Sequence, residues 1–219
     1  MQNNTHKKTI PGNDLFFRFA TFTIRLIFRI NGGLDVKGTE NIPPEGGIII
    51  ASNHISYLDP PLIGAVMPRR TSFMARRGLF TIPLISWVVK RYSIPVDREK
   101  ALPSTIKQAV KRIKNSEIII IFPEGRRSET GELQEGKQGL GLIAHLSKAS
   151  IVPAVITGSD KALPFGARWL RRAKISITFG APLDTSELNG EGDSLYGDIT
   201  KKTMSKIGEL KKHYANNSC

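Results

Sequence analysis

The sequence has almost no cysteine, since Cys219 is the only one among its 219 residues. A disulfide framework and a zinc site built from thiolates are therefore excluded, and a reducing compartment fits best. The four histidines, His6, His54, His145 and His213, are scattered, and no two share the spacing that metal ligands on one helix require. We therefore expect neither a metal nor a cofactor.

Long uncharged apolar runs are also absent. The most apolar stretch, residues 15–30, is interrupted by arginines and is not followed by a cleavage site of small residues, so we expect no secretory signal. As a helix it would be ~24 Å long, less than the ~30 Å hydrocarbon core of a bilayer, so spanning is not expected. Arg18, Arg25 and Arg29 would share one narrow arc, with phenylalanines and aliphatic residues around the rest. We predict that residues 1–33 form a membrane-associating segment whose amphipathic helix lies on the bilayer surface; the alternative is a core helix.

Acidic residues are scarce, because 19 Asp and Glu stand against 32 Lys and Arg, for a net charge of +13. Such a balance favours a polyanionic partner: nucleic acid, an anionic membrane surface or an acidic carrier protein. Charge alone does not choose among them. No helix-turn-helix, zinc-finger or RNP-type motif is found, so we expect no nucleic acid as partner and keep a basic nucleic-acid-binding protein only as the rival class.

Residues 34–219 alternate short apolar runs with helical patterns, which is typical of α/β proteins. We predict one α/β domain with a mostly parallel central sheet flanked by helices. The predicted strands are residues 47–51, 71–75, 93–96, 117–122, 151–157 and 174–179. The predicted helices are residues 62–67, a helix starting at Pro103, and residues 137–149 and 195–214.

The first of these apolar runs ends in a polar turn that contains His54 and, five residues later, Asp59. Ligands bind open α/β sheets at the carboxyl ends of such strands. If the turn folds back, the Asp59 carboxylate can accept a hydrogen bond from one imidazole nitrogen and leave the other as a general base. Asp59 is also expected to cap the next helix, with Pro60 as the first helical residue, and the two roles need not compete.

Three later segments accompany this turn, at residues 93–98, 122–128 and 151–154. Together with residues 53–59 they resemble, in order and spacing, the four motif blocks of the glycerolipid acyltransferases, in particular the bacterial 1-acylglycerol-3-phosphate acyltransferase group. The resemblance extends over about residues 48–156. It implies that His54 is the catalytic base and that Asp59 orients it.

The resemblance also implies the reaction. The expected activity is transfer of a fatty acyl group from acyl-CoA or acyl carrier protein to the sn-2 hydroxyl of 1-acylglycerol-3-phosphate, which gives phosphatidic acid for phospholipid biosynthesis. The enzyme would work at the cytoplasmic face of the cell membrane. A lysolipid acyltransferase with another acceptor headgroup is the alternative, because Arg126 stands where the family usually has threonine. No nucleophilic serine or cysteine elbow is found, so we expect direct attack by the acceptor hydroxyl.

Beside that resemblance, the remaining blocks suggest substrate contacts, and we expect the whole site to lie after residue 33. Arg98 and Arg127 could clamp the acceptor phosphate, since guanidinium binds it by two parallel bonds. Glu124 could hold a glycerol hydroxyl, and Gly125 lets the backbone approach a ligand. Lys137, with Arg76 and Arg77, would add positive charge. Residues 151–154 are expected to be a core strand that borders the acyl site.

Overall fold

The structure, a computed structural model, describes residues 15–81, 83–96, 102–185 and 192–216. These residues contain seven helices and seven strands, which alternate from the second strand onward, with short 3-10 turns at 39–41 and 77–81. The helices are α1 (Leu15–Ile30), α2 (Asp59–Val66), α3 (Pro83–Tyr92), α4 (Pro103–Lys114), α5 (Gly139–Ser147), α6 (Ser159–Ala162) and α7 (Gly192–Asn216). The strands are β1 (Leu34–Lys37), β2 (Ile48–Ser52), β3 (Thr71–Arg76), β4 (Ser93–Val96), β5 (Ile118–Ile121), β6 (Ser150–Thr157) and β7 (Ile175–Phe179).

All seven strands form one sheet in the order β1-β7-β6-β2-β5-β3-β4. Every pairing is parallel except that between β6 and β7, so the predicted mostly parallel sheet is confirmed. In the centre, β2 lies between β5 and β6, with Ala51 opposite both Ile121 and Pro153. The carboxyl ends of these three strands therefore meet, which brings the segments that follow them to one edge of the sheet.

Side chains alternate along β2 between two cores. Ile49 and Ala51 pack with α4, α5 and α7, while Ile48 and Ile50 pack with α1 and α2 on the opposite face. Because helices cover both faces, the central strands are continuous apolar runs rather than alternating ones. The sheet is the middle layer of three, and α1 and α7 lie on opposite sides of it.

The predicted elements form with boundary shifts of at most three residues, and α1 and β4 begin and end as predicted. Three elements were not predicted, namely β1, α3 and α6. The first and last have only four residues each, too short for a periodic pattern, and their conformation depends on their neighbours in the fold. Residues 151–154 form part of the buried core strand β6, as predicted, and β6 lies on the opposite side of β2 from β5; that they border the acyl site stays a prediction.

Helix α1 has three distinct faces rather than two. One stripe packs onto the domain and includes the buried Phe28 and Thr21. Arg18, Arg25 and Arg29 are exposed within an arc of roughly 40°, at ~100° per residue. The remaining arc is apolar and exposed, and it consists of Leu15, Phe16, Phe19, Phe22, Leu26, Ile27 and Ile30. In the part of the chain that the structure describes, no helix has both the length and the apolarity to cross a membrane.

The central position of β5 makes it a sensitive test of the fold. Ile119 is fully buried in β5, and replacement by alanine removes apolar contacts and leaves a cavity. We expect Ile119→Ala to lower the free energy of unfolding by about 2–5 kcal/mol, measured by chemical denaturation. Leu146→Ala, at an exposed position of α5, is the control and should cost well under half as much. Equal losses would contradict the packing described here.

Candidate active site

The turn after β2 is shaped by Asn53, whose side-chain amide continues the sheet where the backbone leaves it. Asn53 donates from Nδ2 to the Ile156 carbonyl at 3.0 Å and accepts from the Ile156 N–H at 2.8 Å. This pairing fixes the end of β2 against β6. The next residue, His54, therefore emerges at the carboxyl edge of the sheet, where parallel α/β proteins bind their ligands.

His54 and Asp59 are brought together as the spacing predicts. The His54 Nδ1 atom lies 2.8 Å from Asp59 Oδ2. The same oxygen accepts hydrogen bonds from the N–H groups of Ile55 and Ser56, at 2.7 and 2.8 Å. The carboxylate therefore points back into the turn. The predicted capping by Asp59 is wrong, because α2 begins at Asp59 itself, its cap residue is Leu58, and no side-chain cap bond forms there.

A further partner of Asp59 comes from a distant part of the chain. Ser159, the first residue of α6 and completely buried, donates from Oγ to Asp59 Oδ1 at 2.6 Å. Both carboxylate oxygens thus accept hydrogen bonds, as a buried carboxylate requires. Since Asp59 acts as the acceptor, His54 donates from Nδ1 and keeps the lone pair on Nε2. No sequence pattern pointed to Ser159, because it is 100 residues away from Asp59 and only the pairing of β2 with β6 joins them.

The segment after β5 holds His54 from the other side. The Phe122 ring stacks on the imidazole, with centroids 4.2 Å apart. Glu124 Oε1 accepts from the His54 N–H at 3.0 Å, and the Ser128 N–H donates to the His54 carbonyl at 2.7 Å. Ring and backbone of the histidine are therefore both fixed by one neighbouring loop.

Both carboxylate oxygens of Glu124 accept hydrogen bonds from the backbone. Oε1 accepts from the His54 N–H, and Oε2 accepts from the Gln134 N–H at 3.1 Å. The residue is only 3% exposed. Burial raises the pKa of Glu124, and the two backbone hydrogen bonds partly offset that rise. Glu124 thus positions the His54 turn, and a contact with a glycerol hydroxyl stays a prediction.

Gly125 and Lys137 lie against each other beside the histidine. Gly125 has a φ of +70°, and a Cβ atom there would come within 2.9 Å of Lys137 Cε. The Lys137 N–H donates to the Pro123 carbonyl at 2.9 Å, which keeps the two segments together. Glycine suits this position for two reasons: the backbone has a positive φ, and a Cβ atom would collide with the Lys137 side chain.

Arg127 contacts two aromatic rings near the site. Its guanidinium carbon is 3.5 Å from the centroid of Tyr57 and 4.8 Å from that of Phe165. Such cation–π contacts fix the plane of the guanidinium. Arg126 is exposed and donates to Gln134 Oε1 at 2.7 Å. Arg98, the other predicted phosphate ligand, lies outside the described residues.

A cavity of about 880 Å³ extends from this edge of the sheet into the domain. His54, Arg76, Gly125 and Lys137 line its polar end, and most of the remaining wall is apolar. Helix α1 supplies part of that wall through Phe16, Phe17, Ala20, Thr21 and Ile24. The expectation that the site lies wholly after residue 33 is therefore wrong, because α1 packs against α2 and covers the cavity.

The chain is similar to known proteins of one family. The family model for acyltransferases matches residues 33–157. A 1-acyl-sn-glycerol-3-phosphate acyltransferase from Bacillus subtilis (strain 168) is 33% identical over 78% of this chain and 84% of its own length. One from Streptococcus pneumoniae is 29% identical over 97% of this chain and 81% of its own length.

The fold is also that of a solved structure. The crystal structure of the 1-acyl-sn-glycerophosphate (LPA) acyltransferase PlsC from Thermotoga maritima superposes with a TM-score of 0.71, over 89% of this chain and 79% of that one, at 23% identity. The site and the fold define an enzyme with a histidine–aspartate pair at the mouth of an apolar cavity. The chain belongs to the acyltransferase family, which confirms the predicted resemblance and decides against the nucleic-acid-binding class.

The hydrogen bond from Ser159 can be tested separately from the histidine. In Ser159→Ala the buried Asp59 oxygen loses its donor, so the carboxylate should hold His54 less firmly. We expect kcat to fall roughly tenfold, as for a lost bond of ~1–1.5 kcal/mol, with both KM values nearly unchanged. Ser147→Ala is the matched control, since that hydroxyl bonds only carbonyls of its own helix. A change in KM without a change in kcat would argue against this role.

Proposed function

We propose that this enzyme transfers a fatty acyl group from acyl-CoA or acyl carrier protein to the sn-2 hydroxyl of 1-acylglycerol-3-phosphate and so produces phosphatidic acid for phospholipid biosynthesis. The observation that carries the proposal is the His54–Asp59 pair, 2.8 Å apart, at the polar end of an apolar cavity. The names of the similar proteins from Bacillus subtilis and Streptococcus pneumoniae support the same acceptor.

The proposed chemistry is a single acyl transfer. His54 Nε2 takes the proton of the acceptor hydroxyl while the hydroxyl oxygen attacks the thioester carbonyl. The carbon–sulfur bond then breaks, the proton passes from His54 to the departing thiolate, and an ester and a free thiol result. Asp59 stabilises the imidazolium that exists between the two proton transfers, because its carboxylate lies against Nδ1.

The apolar cavity and the basic residues near the His54–Asp59 pair suggest how the substrates bind. The fatty chain fits the apolar part of the cavity, whose volume is within the usual range of ligand sites, ~300–1,000 Å³. Arg127 is our candidate for the acceptor phosphate, since contacts with the Tyr57 and Phe165 rings hold its guanidinium near the site, and a guanidinium can donate two parallel hydrogen bonds to a phosphate. Lys137 and Arg98 would add positive charge for the anionic substrates.

The enzyme is proposed to act on the cytoplasmic face of the cell membrane, with residues 1–33 as the membrane-associating segment of the acyltransferase domain, residues 34–219. The exposed apolar arc of α1 lies next to its three exposed arginines, which suits burial in the acyl region with contacts to anionic phosphates. Because α1 also covers the cavity, a lysolipid could pass from the bilayer to His54 without crossing water.

A product assay tests the function directly. Purified protein is incubated with lysolipids that differ in headgroup, with acyl-CoA or acylated carrier protein, and the products are identified by mass spectrometry. We expect phosphatidic acid from 1-acylglycerol-3-phosphate, and His54→Ala should reduce the rate by ~10²- to 10⁴-fold while the fold is retained. Preference for another headgroup would favour a related lysolipid acyltransferase, and near-normal turnover by His54→Ala would exclude His54 as the base.

The stacked arginine gives a second prediction for the same assay. Arg127→Ala should raise the KM for the acceptor on the order of tenfold or more, because a charge-assisted contact to the phosphate is lost. Tyr57→Leu should raise it roughly two- to fivefold, since only the cation–π contact is removed, whereas Tyr57→Phe keeps the ring and should stay near normal. Lys201→Ala removes the same charge at an exposed position of α7, on the opposite side of the sheet from α1, and is the control. If Arg127→Ala changes only the KM for the acyl donor, Arg127 binds the phosphates of the donor's carrier rather than the acceptor phosphate.

A further inference from the structure

Residues 163–174, between α6 and β7, carry apolar side chains that the domain does not bury. Trp169 is 83% exposed, Phe165 66% and Leu170 46%. A tryptophan has one of the largest apolar surfaces of any side chain, and it is enriched where an apolar phase meets water. The proposed reaction uses neither Trp169 nor Leu170.

The same segment is strongly basic. No acidic residue occurs between Asp160 and Asp184. Among the described residues, none of the exposed cations of this stretch forms an ion pair with a carboxylate; they are Lys161, Arg168, Arg171, Arg172 and Lys174. Unneutralised cations around an exposed indole favour a partner that is both anionic and apolar.

One end of the segment is joined to the end of α1. Asn31 donates from Nδ2 to the Arg171 carbonyl at 2.9 Å and accepts from the Ala173 N–H at 3.1 Å. Gly32 allows this approach, since a Cβ atom there would lie 2.4 Å from the Ala173 carbonyl oxygen. The basic segment is therefore continuous with the exposed apolar arc of α1, whose last member, Ile30, directly precedes Asn31.

The other end of the segment meets the active site. Ser56 donates from Oγ to the Leu163 carbonyl at 3.3 Å, and the Phe165 ring lies under the Arg127 guanidinium. The segment thus connects the rim of the site to the end of α1. A surface that contacts the bilayer through α1 would place this segment against the same lipids.

We propose that residues 163–174 are a second membrane-docking element, which inserts Trp169 and Leu170 at the level of the headgroups while Arg168, Arg171 and Arg172 contact phosphates of anionic lipids. The inference rests on the proposed action at a membrane. The occupant is an anionic bilayer because cations and an exposed tryptophan lie together and continue the apolar arc of α1. Docking by two separate elements would orient the rim of the site towards the lipid.

The first experiment follows Trp169 itself. In full-length Trp87→Phe, Trp169 is the only tryptophan. Its fluorescence is recorded with vesicles of phosphatidylcholine alone and of phosphatidylcholine mixed with phosphatidylglycerol. We expect a blue shift and protection from acrylamide on the mixed vesicles, at salt concentrations that remove purely ionic binding. An unshifted Trp169 on vesicles that have bound the protein would overturn the proposal, as would a shift that occurs only on self-association or with DNA.

A second experiment compares variants of equal charge. Arg171→Gln with Arg172→Gln should weaken partitioning to the mixed vesicles on the order of 25-fold, because each basic residue near an anionic surface contributes a factor of about five. Lys201→Gln with Lys212→Gln, at exposed positions of α7 across the sheet, lowers the net charge equally and should change partitioning far less. Trp169→Ser should weaken binding in high salt as well. Equal losses for both pairs would show that only net charge matters.

An activity assay distinguishes failure of the docking proposal from failure of the proposed acyltransferase function on which it rests. With a short-chain, monomeric 1-acylglycerol-3-phosphate and no vesicles, the Arg171/Arg172 and Trp169 variants should acylate as fast as the unaltered protein, and they should lose rate only on vesicle-bound acceptor. If the unaltered protein acylates no lysophosphatidate, the proposed function fails, yet the fluorescence of Trp169 still decides whether the segment docks.

Discussion

The buried carboxylate of Asp59 is the constraint on which the site depends. It is completely inaccessible to solvent and receives hydrogen bonds on both oxygens, from the His54 ring, two backbone N–H groups and the Ser159 hydroxyl. A buried charge without such partners would be strongly destabilising, so these contacts must form together. The turn after β2, the start of α2 and the segment after β6 are thereby held in one arrangement, and the orientation of the imidazole follows from it.

The order of the central strands provides the rest of the site. Because β5 pairs with β2, its following loop reaches the His54 backbone through Glu124 and Ser128 and the His54 ring through Phe122. The elements that fix the base therefore come from neighbouring strands rather than from neighbouring sequence. An enzyme that must act on a headgroup at the end of a long apolar chain needs such a rigid polar end beside an apolar cavity, and α1 completes the wall of that cavity.

Helix α1 has features that belong to two interpretations of one pattern, and contact with a membrane stays a prediction. Its phenylalanines and arginines favoured a helix on a membrane surface, with a core helix as the alternative. In the structure one stripe, with Phe28, packs into the core while another apolar arc stays exposed next to the arginines. Helical periodicity alone could not separate them, since both stripes are apolar and only packing against α2 determines which one is buried.

The sequence by itself determined the fold class, the positions of six strands and the pairing of His54 with Asp59, because these follow from short-range patterns: continuous apolar runs, a five-residue separation and four ordered motifs. Only the tertiary structure decided that Ser159 supports Asp59, that Glu124 holds the His54 backbone, and that Tyr57 and Phe165 both contact Arg127. It also decided that residues 163–174 adjoin α1. Each of these contacts joins segments far apart in the chain or depends on where a side chain points, and both are set by strand order and packing, which leave no local pattern in the sequence.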